Sequence, residues 1–233
     1  MQRGFLSIKR IGRVAAAFLL LGLTAQADTT KPFGLSTAAA PEGALSATWR
    51  ELQARIEAEQ PVIAQCRAEP QSCRSVPAAQ FIAIVAGGAA YEGAARIGHI
   101  NQAANLAIRA VPSGTPNAIH GKWTAPLATL SAGVGDCKQF AVLKYAALEA
   151  AGIAADDVRI VILEQDSPPE THAVVAVRND ARWLILDNRS MTLVESDDLL
   201  DRYVPLYALD HRGVRQFIQQ PQVAQKFGGA CAG

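Results

Sequence analysis

The first half of the chain repeats apolar residues at helical spacing. Between residues 45 and 65 they recur at intervals of three, four and seven positions and predict one helix, whose stripe is Trp49, Leu52, Ile56 and Ile63. Pro61 is expected to kink or end this helix, because proline lacks the backbone N–H that a helix interior uses. A second helical pattern starts after Val76-Pro77. Gly87-Gly88 is expected to interrupt it before helical spacing resumes from Ile97 to Ile108.

The pattern changes after Gly135. Residues 137–151 predict a further helix, capped by Asp136 and ended by Gly152. Apolar runs with strand character follow over 158–163, 171–177, 183–186 and 203–209. Short, turn-forming connections between them favour an antiparallel sheet, so the expected fold class is α+β. Its helical part spans 44–134, and the part that begins with the capped helix spans 135–220.

The N-terminus has the pattern of a secretory signal peptide over residues 1–27. Basic residues without any acidic residue precede an apolar run from Val14 to Leu23, and Ala25-Gln26-Ala27 follows with the small residues that suit cleavage. The apolar run is shorter than the roughly 20 residues of a membrane helix. We therefore expect cleavage and release into the periplasm or the medium, without a membrane span. An uncleaved anchor is the alternative.

Charge and composition limit the classes of partner that the protein is expected to bind. Cleavage removes four of the 22 basic residues and leaves 18 against 21 acidic ones, which predicts no nucleic-acid partner. Residues 28–43 are rich in Thr, Pro and Ala and predict a flexible lead-in. Residues 221–233 predict a flexible, Gly-rich tail that contains Cys231.

Two of the four cysteines lie close together in the sequence. Cys66 and Cys73 flank Pro70 in a short polar segment. An exported protein matures in an oxidising compartment, so a small disulfide is the favoured interpretation. Zinc binding by this pair is the weaker alternative, since no second Cys/His pair follows at the spacing of a zinc finger.

Cys137 has different surroundings, because it opens the helix that Asp136 caps. The positive end of the helix dipole stabilises a thiolate, which is the nucleophilic form of cysteine. The alternative is that Cys137 is a small buried hydrophobic residue.

A cysteine nucleophile needs a base, and the base needs an orienting partner. His172 begins an apolar strand, where a polar ring is costly unless it is paired. Asp187 ends the next strand, and a hairpin at Asn179-Asp180 brings the two residues side by side. We therefore predict a catalytic triad with Cys137 as nucleophile, His172 as base and Asp187 as the residue that orients the histidine. The alternatives are a satisfied core histidine and a turn aspartate.

Acyl transfer also requires donors for the oxyanion. The backbone N–H of Cys137 is the first candidate. Trp123 and Asn105 are weaker candidates for the second donor.

Several segments together resemble the bacterial transglutaminase-like cysteine peptidase family. The segments are Gly135-Asp136-Cys137 with the helix through Phe140, Lys144 and Tyr145, the strand opening His172-Ala173-Val174, the strand end Leu186-Asp187-Asn188, Trp123-Thr124-Ala125-Pro126, and the pair Asn101 and Asn105. The resemblance implies a papain/transglutaminase-like core and hydrolysis of peptide bonds through a thioester. It also implies a protein substrate in the cell envelope and a regulatory protein as a further partner. The best-known members clip surface adhesins in a calcium-dependent way.

One departure from the family pattern concerns the residues after the cysteine. The family usually has Glu-Asp there, whereas this chain has Lys138-Gln139. Calcium prefers several carboxylate oxygens, and only Asp136 remains of that acidic cluster. The sequence therefore favours a protein without a cofactor and leaves Asp136 as a weak calcium candidate. A transglutaminase-type acyltransferase or amidase and a catalytically silent binding module remain as alternative functions.

Overall fold

The computed structural model describes residues 31–112, 122–166 and 169–219 of the 233-residue chain. The predicted signal peptide and the predicted tail with Cys231 lie outside the described residues. The α-helices of the described part are α1 Ala44–Ala68, α2 Val76–Ala89, α3 Gly93–Ala107, α4 Pro126–Ala132 and α5 Cys137–Ala150.

The strands form one large antiparallel sheet and one small pair. The strands are β1 Thr37–Ala39, β2 Arg109–Ala110, β3 Val134–Gly135, β4 Val158–Asp166, β5 Pro169–Asn179, β6 Arg182–Leu186, β7 Val194–Glu195, β8 Val204–Asp210 and β9 Gly213–Phe217. Seven of them form a sheet in the order β1-β9-β8-β4-β5-β6-β7, and β2 pairs in parallel with β3. The predicted α+β class is confirmed.

The large sheet is buried on both faces. Along β4, Ile160 and Ile162 belong to the core that the helices cover, whereas Val161 and Leu163 belong to a second core on the opposite face. This explains why the central strands are continuous apolar runs, since neither side of the strand meets solvent. The sheet is therefore a rigid base for the residues at the ends of its central strands.

The second core corrects the prediction of a flexible lead-in. Phe33 and Leu35 are buried in it, and Thr37–Ala39 pairs with β9. The prediction rested on composition, which is dominated by Thr, Pro and Ala. It missed that two apolar side chains pack into the second core while the backbone of the segment pairs with β9. Residues 31–43 are therefore part of the fold.

Pro61 does not end α1, contrary to one of the two outcomes predicted for it, because the helix continues to Ala68. A proline in a helix leaves the carbonyl four residues earlier without its usual donor. That carbonyl belongs to Glu57, and both Glu57 and Pro61 are exposed. Water can satisfy the carbonyl, so the helix tolerates the proline.

The glycine pair Gly87-Gly88 does not interrupt α2, which runs through both residues. A Cβ on Gly87 would lie 2.5 Å from Nε2 of His99, and one on Gly88 would lie 2.5 Å from Cγ1 of Ile100. Both neighbours are on α3. The glycines therefore allow close packing of α2 against α3. Periodicity within one helix does not reveal this role.

No helix in the described ranges has an apolar stretch long enough to cross a membrane.

Candidate active site

The N-terminus of α5 is held by a capping box. Oδ1 of Asp136 accepts the backbone N–H of Lys138 at 3.0 Å, and Oε1 of Gln139 accepts the backbone N–H of Asp136 at 2.9 Å. These bonds satisfy N–H groups that have no partner inside the helix. A Cβ on Gly135 would lie 2.6 Å from Cβ of Gln139, so only glycine fits before the cap. Cys137 follows as the first helical residue, as predicted, and is buried.

The β5–β6 hairpin places His172 and Asp187 on one face of the sheet. Val175 lies opposite Leu186, so His172, three residues before Val175, and Asp187, one residue after Leu186, have the same side-chain direction. The two are diagonal neighbours across the strands, not directly opposed. Nε2 of His172 lies 2.8 Å from Oδ1 of Asp187. A register shift of one residue would move Asp187 to the other face.

Nδ1 is the ring nitrogen of His172 that Asp187 does not engage. Nδ1 is buried and has no hydrogen bond of standard geometry among the described residues. The imidazole nevertheless interacts with Cys137. Burial raises the pKa of the Cys137 thiol, but hydrogen bonding and charge interaction with His172, together with the N–H of Ala173, outweigh burial and lower it. In free enzymes such contacts are often poorly aligned and tighten in the substrate complex.

The pKa of His172 moves in the opposite direction. Burial lowers it, but the contacts with Asp187 and Cys137 dominate and raise the pKa of His172 to about 9. Burial raises the pKa of Asp187, and the hydrogen bond from His172 outweighs this and lowers it. A lowered thiol pKa and a raised imidazole pKa favour a thiolate–imidazolium pair.

A buried lysine lies close to this arrangement. Nζ of Lys144 has no hydrogen-bond partner among the described residues and lies 5.9 Å from the ring centroid of Phe140. Burial lowers the pKa of Lys144 to about 7, and the charge of Asp187 partly counteracts the effect. Lys144 also contributes to the lowered pKa of Asp187.

Two asparagines of α3 hold the loop that follows β6. Nδ2 of Asn105 donates to the carbonyl oxygens of Asp187 at 3.0 Å and Ser190 at 2.9 Å. Nδ2 of Asn101 donates to the same Ser190 carbonyl at 3.0 Å. The backbone N–H of Arg189 donates to Oδ1 of Asp187 at 2.9 Å. The position of the Asp187 carboxylate therefore depends on a helix more than 80 residues earlier in the chain.

The two candidates for the second oxyanion donor differ in what they contact. The amide nitrogen of Asn105 is engaged by the loop behind Asp187. Trp123 is buried, and its Nε1 has no partner among the described residues. The preceding carbonyl, of Lys122, accepts Nε2 of Gln139 at 2.6 Å, which ties this segment to the first turn of α5. Trp123 thus retains an unused donor.

Cys66 and Cys73 are joined by a disulfide, with a Cα–Cα distance of 4.6 Å. Cys137 is a free thiol. The disulfide that joins α1 to the turn after it therefore leaves the predicted nucleophile as a free thiol.

Sequence reasoning missed three features of this site. It assigned no loop-anchoring role to Asn101 and Asn105, no burial to Lys138 and no unpaired Nζ to Lys144. The only sign of the two buried lysines in the sequence was their position in a largely apolar helix. Lysines in a helix are ordinarily interpreted as part of its solvent-exposed face.

The fold combines helices with an antiparallel sheet, and a cysteine at a helix start interacts with a histidine–aspartate pair. A family model described as "Bacterial transglutaminase-like cysteine proteinase BTLCP" matches residues 56–221. The chain belongs to this family, and it is a transglutaminase-like cysteine peptidase.

One solved structure supports this fold. Legionella pneumophila LapG is 16% identical, with 81% of this chain and 94% of that chain covered and a TM-score of 0.53. Its calcium-bound structure is 18% identical, with 64% and 95% covered and a TM-score of 0.42. No curated protein matches the sequence.

Proposed function

We propose that the protein is an exported peptidase that cleaves a protein of the cell envelope through a thioester on Cys137. His172 is the base and acid, and Asp187 orients it. One arrangement supports the proposal. The thiol of Cys137 at the start of α5 interacts with the imidazole of His172, and Nε2 of that imidazole lies 2.8 Å from the carboxylate of Asp187.

The resting state is a thiolate–imidazolium pair. The sulfur anion attacks the peptide carbonyl, a C–S bond forms, and the carbonyl electron pair moves to oxygen. When the C–N bond breaks, the imidazolium gives its Nδ1 proton to the leaving amine. Asp187 accepts a hydrogen bond from Nε2 throughout, which fixes the tautomer of the neutral ring and supports its charged form.

Deacylation reverses the roles. Neutral His172 takes a proton from water, and the hydroxide attacks the thioester. Collapse expels the thiolate and releases the carboxylic acid, which restores the thiolate–imidazolium pair.

The tetrahedral oxyanion needs preorganised donors. The backbone N–H of Cys137 is at the helix start, where N–H groups lack partners within the helix. For the second donor we favour Trp123, because its buried Nε1 has no partner among the described residues, whereas the amide nitrogen of Asn105 is occupied.

Export and an envelope substrate are supported by the N-terminal pattern of basic residues, apolar run and small residues over 1–27. Fractionation of cells followed by N-terminal sequencing tests this step. We expect the mature protein in the periplasm or medium with Asp28 as its first residue. Recovery of an uncleaved chain in the cytoplasm would contradict export.

Cleavage is tested by comparing the envelope proteomes of cells that carry the native protein and Cys137→Ala. We expect a specific protein to appear as a truncated product only with the native protein. A matched control removes the other described cysteines, Cys66→Ala with Cys73→Ala, and should leave the product in place. Identical proteomes for native and Cys137→Ala cells would refute the peptidase proposal.

Hydrolysis and amine transfer share the acyl-enzyme. The two outcomes separate when the product carboxyl terminus is analysed by mass spectrometry with an added lysine analogue. A free acid is expected.

A further inference from the structure

Lys138, the residue after the proposed nucleophile, is a buried lysine with a single described ionic partner. Its Nζ lies 2.7 Å from Oδ2 of Asp136, and its side chain is 2% exposed. A charged side chain is almost never buried to this extent unless it is paired. The pair is therefore a fixed component of the helix start and not a transient surface contact.

Both carboxylate oxygens of Asp136 are committed. Oδ1 accepts the backbone N–H of Lys138, and Oδ2 faces the Lys138 ammonium. Calcium takes six to eight oxygen ligands and would have to displace the ammonium to reach this carboxylate. Within residues 31–112, 122–166 and 169–219, no group of three or more His, Cys, Asp or Glu side chains is arranged to hold a metal. The residues beside Cys137 thus do not fit the calcium ion that the family resemblance implies.

The Asp136 carboxylate needs a positive partner because of its neighbour. A negative charge beside Cys137 opposes formation of the thiolate. A cation at Oδ2 offsets this charge and leaves Oδ1 in place as the cap of α5. An ammonium carried by the chain does both without a dissociable ion.

We propose that the Lys138 ammonium is a built-in cation at the start of α5, and that it makes the readiness of Cys137 independent of calcium. Lys138 is a positioning residue in this proposal, which rests on Cys137 being the nucleophile. It assigns to this chain an active site without the calcium dependence that the family resemblance implies.

The first test measures calcium binding by calorimetry and the melting temperature with calcium or EGTA. For the native protein we expect no binding heat and the same melting temperature in both conditions. Lys138→Glu with Gln139→Asp restores the Glu-Asp that the family usually has after the cysteine, so this variant should bind calcium and melt at a higher temperature when calcium is present. Stoichiometric calcium binding to the native protein would overturn the proposal.

The second test measures the rate at which iodoacetamide alkylates Cys137 at mildly acidic pH, with the modified peptide quantified by mass spectrometry. Native protein should react at one rate in calcium and in EGTA. Lys138→Met should react about tenfold more slowly, which corresponds to a rise of one pKa unit in the thiol. Lys138→Arg should retain most of the native rate, and exposed Lys122→Met is the matched control.

The outcomes separate this proposal from the proposed function. A native Cys137 that is inert in both conditions would refute the nucleophile itself. A reactive Cys137 whose rate falls in EGTA would leave the nucleophile standing and refute only the built-in cation. If Lys138→Met does not fold, the calcium and EGTA measurements on native protein and on Lys138→Arg still decide the question.

Discussion

Cys137 and Cys66 are equally buried, at 6% exposure each, yet their chemistry differs because their neighbours differ. Cys66 meets Cys73, seven residues along the chain, and the two sulfurs close a short loop. Cys137 meets an imidazole from β5, whose own partner comes from the end of β6. Burial alone makes a thiol inert, since it disfavours the thiolate. The comparison shows that the partners of a buried cysteine, and not its burial, distinguish the surroundings of these two residues.

The largest effect on activity is expected when the sulfur of Cys137 is removed. Cys137→Ala should lower kcat/KM by about 10⁴-fold or more, because covalent catalysis is lost while substrate binding remains. The free energy of unfolding should change little, since one small group is removed. The measurement is peptidase kinetics together with urea denaturation. Retention of native activity would show that Cys137 is not the nucleophile.

Asp187→Asn tests the far end of the same arrangement. The amide should still contact Nε2 of His172 but should favour the wrong tautomer and no longer support the imidazolium, so kcat should fall by up to about 10⁴-fold. Steady-state kinetics measures this loss. Asp180→Asn, in the exposed turn of the same hairpin, is the control and should match the native protein. Equal kinetics for both variants would remove Asp187 from the mechanism.

Asn105→Ala tests whether the loop after β6 must be held from α3. The Asp187 carbonyl loses its donor and the carboxylate shifts, and misplacement by about 1 Å costs on the order of 10²-fold in rate. We expect the loss in kcat with KM nearly unchanged. A rise in KM alone would instead assign Asn105 to substrate binding.

The pH dependence of kcat/KM tests whether Cys137, unlike the disulfide-bonded Cys66, titrates together with a histidine. kcat/KM should rise as the Cys137 thiol, whose pKa is lowered, deprotonates, and should fall by about tenfold per pH unit above the His172 pKa of about 9.

The free energy of unfolding should also decrease at high pH. The His172 pKa is raised above its ordinary value of 6.5, so its stabilising contribution is complete below that pH and is lost as pH rises through about 9. A pH–rate profile and denaturation at several pH values check both.

The smallest effect on activity comes from the disulfide. Cys66→Ser with Cys73→Ser opens a loop of about eight residues, which costs roughly 2 to 3 kcal/mol of stability by the chain-entropy model. kcat/KM of the folded protein should equal the native value. A loss of activity at temperatures where the variant is folded would mean that this staple supports the active site.

Much of the site could be predicted because its members are marked by local patterns. Asp136 directly precedes α5, and Asp187 directly follows β6. His172 was expected to open its strand but is the fourth residue of β5, near the start of the buried part of that strand. The hairpin between β5 and β6 is short, so its register follows from the turn. The proximity of His172 and Asp187 could therefore be predicted, although the two residues are diagonal neighbours and not directly opposed.

The missed features depend on contacts between distant elements. Gly87-Gly88 reads as a break within one helix, but the structure shows that it accommodates α3. Phe33 and Leu35 lie in a segment of polar and small residues and become core residues because they pack on the face of the sheet opposite the helices.

The sequence alone predicted the class of fold, the helix that presents Cys137, the strand that carries His172 and the strand that Asp187 follows. These predictions come from periodicity and end signals, which report which residues of an element are apolar and where the element stops. The family was predicted separately, from the resemblance of several short motifs. Only the tertiary structure decided that Asn105 holds the Asp187 loop and that Lys138 is buried against Asp136. The reason is physical: a side chain's burial and partners depend on what packs against its element, and no local pattern contains that partner.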